Sequence, residues 1–209
     1  MPGLLPLFPL QVVALPGAVV PLHIFEERYK TMVGDCERNG TAFGIVLAKD
    51  GGIVNAGCTV MVETVLERYP DGRFDILTRG QRRFMLRSID QQLDWLRGEV
   101  EFFEDDDFTP VTRQLRDKAL DCFREIRRAL NSAGAEAEPE PEHPLLSFQL
   151  AHGIDDLDFQ SLVLRSRSEA ERLRKFVEFA EGYVSRTEYT AKMKRVVPTN
   201  GSGHKPADL

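Results

Sequence analysis

Side chains able to do acid–base or metal chemistry are scattered along the 209-residue chain rather than gathered. His23 lies close before the adjacent carboxylates Glu26 and Glu27, an order that could serve general acid–base catalysis. On a helix, however, sequence neighbours point about 100° apart, so these two glutamates do not converge on one atom. They read better as charge in a helix's first turn, where it complements the dipole. His143, His152 and His204 stand alone, and the three cysteines, Cys36, Cys58 and Cys122, form no CxxC. No metal pair, zinc knuckle or disulfide framework is indicated. The acidic run Glu104, Asp105, Asp106, Asp107 lacks the alternating oxygen ligands and glycine of a calcium loop and reads as a solvated strand exit. The chain has no GxxxxGK[ST], GxGxxG, HExxH or GxSxG motif, and GSGHK near its end has the wrong spacing for a phosphate loop.

The clustered chemistry is basic. Arg68, Arg73, Arg79, Arg82, Arg83 and Arg87 could share a sheet face and attract phosphate. Glu63, Glu67, Asp71 and Asp75 are interspersed, so a solvated face of ion pairs is the competing expectation. Composition weighs against nucleic acid: the net charge is −6, and the aromatics near the arginines are Tyr69, Phe74 and Phe84, of which the phenylalanines suit a core better than base stacking.

The elements that must carry these residues follow from periodicity. An apolar fraction of 42% supports a sizeable core. Residues 7–24 hold short β-prone pieces punctuated by prolines, with a turn at Pro16-Gly17. Phe25, Tyr29, Met32, Val33 and Cys36 then recur at helical spacing over about 25–38, with Asn39-Gly40 as a stop. From there to about 104 strands succeed one another: 41–48, 57–69, 73–79, 82–89 and 97–103. PDG at 70–72 gives turn chemistry, and Gly80 divides the two strands around it. Thr109-Pro110 reads as an N-cap followed by proline at the first helical position, opening a helix to about Leu130. An Ala/Glu/Pro-rich linker over 131–144 precedes short helices at 145–151 and 155–164. Ser168 and Glu171 form a capping box for a last helix whose apolar side carries Leu173, Phe176, Val177, Ala180 and Val184. The Gly/Ser/Pro-rich tail from Pro198 reads as disordered. Strands followed by helices predict an α+β fold, a β-rich part over 1–105 and a helical part over 106–195.

In order, LFPL, LPG, PLHIFEERY, GIVL and GCTVMVETVLERYPDGRFDILTRGQRRFMLRSI resemble the N-terminal substrate-recognition domain of the Lon protease family, more closely its stand-alone bacterial type. LLSFQLAHGIDDLDFQSLVLRSRSEAERLRKFVEFAE is similar to that family's helical segment. The resemblance implies a PUA-like β-barrel followed by a helical bundle, engaging unfolded or tagged polypeptides. Neither ATP hydrolysis nor proteolysis carries over, because the phosphate loop is missing and 209 residues leave no room for those domains. The family pattern falls on Phe8, Pro9, Pro16, Gly17, Pro21, Leu22, Phe25, Glu26, Arg28 and Tyr29, and on Gly80, Arg83 and Phe84. Phe25 and Phe84 suit the core, and Gly17 and Gly80 suit positive φ. Arg28 and Arg83 are the polar positions to watch, for strand-end carbonyls, an acidic partner or a ligand.

The expected function is therefore a non-catalytic polypeptide-binding module, an adaptor in protein quality control, without cofactor or metal. Its partners would be unfolded or extended polypeptides and a protease or chaperone. Met61, Leu77 and Met85, opposite the expected core face, are candidate polypeptide contacts. The alternative is an RNA-binding PUA-like module using Arg68, Arg73, Arg79, Arg82 and Arg87. A leading Lys/Arg-rich signal and a run of about 20 apolar residues are both missing, so the expectation is a cytoplasmic chain.

Overall fold

Short apolar runs broken by proline and glycine fold as strands, and the runs with helical period fold as helices. The computed structural model describes residues 3–130 and 138–196. The tail from Pro198, the first half of the linker and the side chain of Val184 lie outside the described residues. Strands β1 (Leu5–Leu10) and β2 (Val19–Ile24) lead into helix α1 (Glu27–Asn39). Then come β3 (Phe43–Lys49), β4 (Gly52–Arg68), β5 (Phe74–Asp90) and β6 (Arg97–Phe102). Helices α2 (Arg113–Ala129), α3 (Leu146–His152), α4 (Leu157–Arg165) and α5 (Glu169–Val196) follow.

The fold is α+β, and its strand pairing closes on itself. β1 runs parallel to β3; β3 pairs antiparallel with β4, β4 with β5, β5 with β6, and β6 returns to β1. This is a distorted ring rather than a regular barrel. β2 stands outside it as an edge strand on β5, and bulges shift the register between β3 and β4, β4 and β5, and β5 and β6. Gly80 does not divide two strands, contrary to the sequence reading. β5 is continuous: its first half pairs with β2 and its second half with β6.

Two cores result. Leu7 of β1, Val46 of β3 and Phe84 of β5 meet inside the ring, with Leu86 and Val100 beside them. Gly57 gives Phe84 its space: a Cβ there would lie 2.5 Å from the ring and from the Ile45 carbonyl oxygen. The larger core lies between the sheet and the helices and includes Phe8, Val20, Ile24, Met32, Phe123, Phe148, Phe159 and Phe176. Phe25 is not in it. It precedes α1 and is 59% exposed, because the helix begins at Glu27 with Glu26 as N-cap.

The turn before β2 sets the phase of the whole edge. Ala18 N–H donates to the Leu15 carbonyl at 3.0 Å, with Pro16 and Gly17 (φ 79°) as the central residues. That is a type II turn, which favours proline and then glycine. Gly17 N–H donates to Gly80 O and Gly80 N–H to Ala18 O, both at 2.9 Å, so Gly17 and Ala18 together oppose Gly80 as a glycine bulge. Gly17 needs its positive φ. Gly80 has no positive φ, contrary to expectation, and is required for another reason: a Cβ would sit 2.0 Å from the Leu15 carbonyl oxygen. Gly80→Ala should therefore lower unfolding stability by about 2–3 kcal/mol, read by urea denaturation. Gly51→Ala, in an exposed turn, would strain φ without that clash, and should cost about 1 kcal/mol.

Two cap expectations also change. α2 is capped by Thr112, whose hydroxyl accepts from Leu115 N–H at 3.2 Å. Thr109 instead donates its N–H and hydroxyl to Asp107. At α5 the Ser168 hydroxyl accepts from Glu171 N–H at 3.3 Å, but the Glu171 carboxylate turns to Ser166 and Lys175, so the box is half formed.

Candidate functional site

The bulge fixes which way the main chain of β2 faces. With Ala18 O bonded to Gly80 N–H, alternation directs the main-chain groups of Val20, Leu22 and Ile24 toward β5. Those of Val19, Pro21 and His23 face the opposite way. No other strand pairs there among the described residues. Proline is tolerated in β2 for this reason: its missing N–H falls on the open side.

A groove of about 560 Å³ runs along this edge. One wall is Leu10, Val12 and Val13 with Val19, Val20, Pro21 and Leu22; the other is the α3–α4 turn with His152, Ile154, Asp155, Leu157 and Gln160. The turn is held from within. The buried Gln160 amide donates to the carbonyls of Ala151 (3.2 Å) and Ile154 (2.9 Å). The Asp156 carboxylate caps α4 by accepting from Phe159 N–H at 2.9 Å. The groove is thus apolar, has one carboxylate (Asp155) on its lining, and is bordered by unpaired main-chain donors and acceptors. Such a surface can take an extended chain by strand addition. It holds no nucleophile–base pair, and no acidic, histidine or cysteine group able to hold a metal occurs among the described residues.

The sequence candidates fall elsewhere. Met61 and Leu77 are half-buried on the β2–β5–β4 extension, opposite Val60 and Ile76 of the core. Met85 is also half-buried but belongs to the other half of β5, opposite Ala56, so the three do not form one surface. Each candidate arginine faces a carboxylate. Arg68 pairs with Glu37 (2.6 Å), Arg73 with Asp71 (2.7 Å), Arg79 with Glu63, Arg82 with Glu104 (3.7 Å) and Arg87 with Glu101. Arg28 pairs with Glu26 at 2.8 Å and covers the Tyr29 ring. His23 finds a partner that sequence did not show. Its Nδ1 lies 2.5 Å from Asp75, which also accepts from the Tyr69 hydroxyl at 2.7 Å. That bond pushes the Tyr69 phenol up to about 12, and the bonds from Tyr69 and His23 hold Asp75 below its usual range.

Arg83 is not on a solvated face. It is 3% exposed and donates to the carbonyls of Leu164 (3.3 Å) and Ser166 (2.6 Å) and to Asp105 (2.7 Å). Asp105, read from sequence as part of a solvated run, is the centre of a buried knot. Arg172, fully buried, gives both its terminal nitrogens to Asp105 at 2.7 Å, with further bonds to Glu169, Ser147 and Ser166. Burial pushes the Asp105 carboxyl up, but the bonds and charges of Arg172 and Arg83 outweigh it and hold it low. The knot ties β5 to α5 and to the α4–α5 junction, so it fixes the helical wall that carries the groove's far side. Sequence reasoning missed Arg172. Its signal was an arginine four residues before Phe176 and eight before Ala180, within the apolar stripe of α5.

Comparisons with known proteins agree with this geometry. A model of the ATP-dependent protease La (LON) substrate-binding domain matches residues 4–180. Among solved structures, a Lon N-terminal domain protein from Xanthomonas campestris is 28% identical, with a TM-score of 0.67 over 84% of this chain and 98% of that one. The N-terminal domain of Mycobacterium avium complex Lon protease shares the fold at 15% identity, with a TM-score of 0.62 over 86% of this chain and 98% of that one. The match over residues 4–180 shows the family: the chain belongs to the LON substrate-binding domain family.

Proposed function

We propose that the chain is a non-catalytic polypeptide-binding module that holds extended apolar segments in the groove between β2 and the α3–α4 turn. It would act as an adaptor in protein quality control, presenting captured segments to a protease or chaperone. The observation that carries this reading is the unpaired edge of β2 opening on an apolar groove. Asp155 favours segments that place a basic residue beside it. The three buried free cysteines suit the reducing cytoplasm, where we place the protein. No helix among the described residues is long and apolar enough to cross a membrane.

The RNA-binding alternative gains no observation. Its arginines are paired one by one with carboxylates and spread over the end of β4, the turn that follows it and both halves of β5.

Calorimetry with reduced, carboxymethylated α-lactalbumin, an unfolded chain, tests the proposal. Saturable binding is expected, with a negative heat-capacity change from apolar burial. No heat of binding at high micromolar concentration, with the fold intact by circular dichroism, would refute it.

A further inference from the structure

We infer that the groove captures its segment by strand addition to β2, and that Pro21 weakens that addition by withholding one hydrogen-bond donor at the middle of the edge. The inference rests on the groove reading above and names how the bound chain is held. The glycine bulge puts the main-chain groups of Val19, Pro21 and His23 on the open side. An incoming strand meets N–H and C=O at Val19, C=O alone at Pro21, and both again at His23. Its own carbonyl opposite Pro21 therefore goes unpaired. Side chains alternate along β2: Val20 and Ile24 are buried in the core, while Pro21 and His23 are exposed. The edge that accepts a segment is thus short and interrupted, which limits pairing with a second copy of the chain, as prolines on natural sheet edges do. A binding edge with one missing donor also holds segments less tightly, so that they can be handed on.

The probe is a fluorescein-labelled octapeptide of alternating valine and threonine with one arginine, followed by anisotropy on the full chain. Two further peptides carry N-methyl groups, one on the amides that face β2 and one on those that face away. Pro21→Ala supplies the missing donor and should tighten binding of the parent peptide roughly fivefold, the effect of about one net hydrogen bond. Of the two methylated peptides, one should bind like the parent and the other should not bind. Unchanged affinity in Pro21→Ala, with its fold verified by thermal melting, would overturn the inference. So would equal binding of all three peptides to the wild-type chain, a result that needs no variant and would show capture by side chains alone. A Pro21→Ala protein that dimerises without binding peptide would assign the edge to a second copy and overturn it too. Failure of wild type to bind any of the peptides or the unfolded protein would instead remove the groove reading itself.

Discussion

Asp105→Ala should destabilise the fold by about 3–4 kcal/mol, the largest loss expected of any single polar substitution in this protein. Asp105 is the anion shared by Arg172, fully buried, and Arg83, 3% exposed. Removing it leaves two guanidiniums in a low-dielectric interior, and neither can lose its proton at ordinary pH. Glu169 still balances Arg172 in part, which is why the loss is placed at the lower end for a broken buried pair. Glu101→Ala removes a single arginine–carboxylate pair whose side chains are both 56% exposed. It should change stability by about 0.5 kcal/mol or less. Urea unfolding of both variants checks the contrast. The same knot gives a pH dependence. The folded-state pKa of Asp105 lies below its ordinary 3.8, so its contribution is complete above that value. It is lost as pH falls from there through the lower folded value. Asp105→Ala should therefore remove part of the acid lability expected of wild type below about pH 4.

Val12→Arg should abolish polypeptide binding while leaving the fold in place. Val12 is half-buried on the groove wall, opposite the α3–α4 turn. A long cationic side chain there occupies the space of the incoming chain and brings positive charge into the groove that Asp155 lines. That charge would also repel the basic residue that Asp155 favours in the bound segment. Calorimetry with the unfolded protein should show at least a tenfold loss of affinity, about 1.4 kcal/mol. The melting temperature should fall only modestly, because Val12 lies on a bend after β1 and packs half-buried at the margin of the core rather than within it. Unchanged binding in a folded Val12→Arg would move the binding surface elsewhere.

Much of the fold was legible because its signals are local. Pro16-Gly17 foretold a turn, the spacing of Tyr29, Met32, Val33 and Cys36 foretold α1, and Phe74 and Ile76 marked a buried face. What was not legible depends on partners distant in sequence. Gly80 looked like a break between strands, but its role is to let the main chain of Leu15 approach closely, and Leu15 is far away along the chain. Thr109-Pro110 matched a helix start, yet Asp107 takes the Thr109 hydroxyl and the helix waits for Thr112. Asp105 lies in an acidic run that any local rule reads as solvated; its partners Arg83 and Arg172 come from the two halves of the chain. Phe25 belonged to a helical stripe, but the helix begins after it, which leaves the ring stacked on His23 at the surface.

The candidate site was less legible than the fold for the same reason. Met61, Leu77 and Met85 followed from strand alternation, which says which face a residue takes but not which faces join. The groove needs β2 to lack a neighbour and the α3–α4 turn to stand beside it, both facts of topology. Pro21 was the trace visible in sequence. A proline inside a β-prone run pointed to a short, edge-type or bulged strand, without saying which.

Amide hydrogen exchange on the isotope-labelled chain, with and without the valine–threonine octapeptide, tests the central claim most directly. Bound peptide should slow exchange at the amides of Val19 and His23, the free donors of the β2 edge, and leave those of Val20, Leu22 and Ile24, already bonded to β5, unchanged. Peptide binding that leaves Val19 and His23 exchanging at their free rates, with protection appearing on another surface, would contradict it.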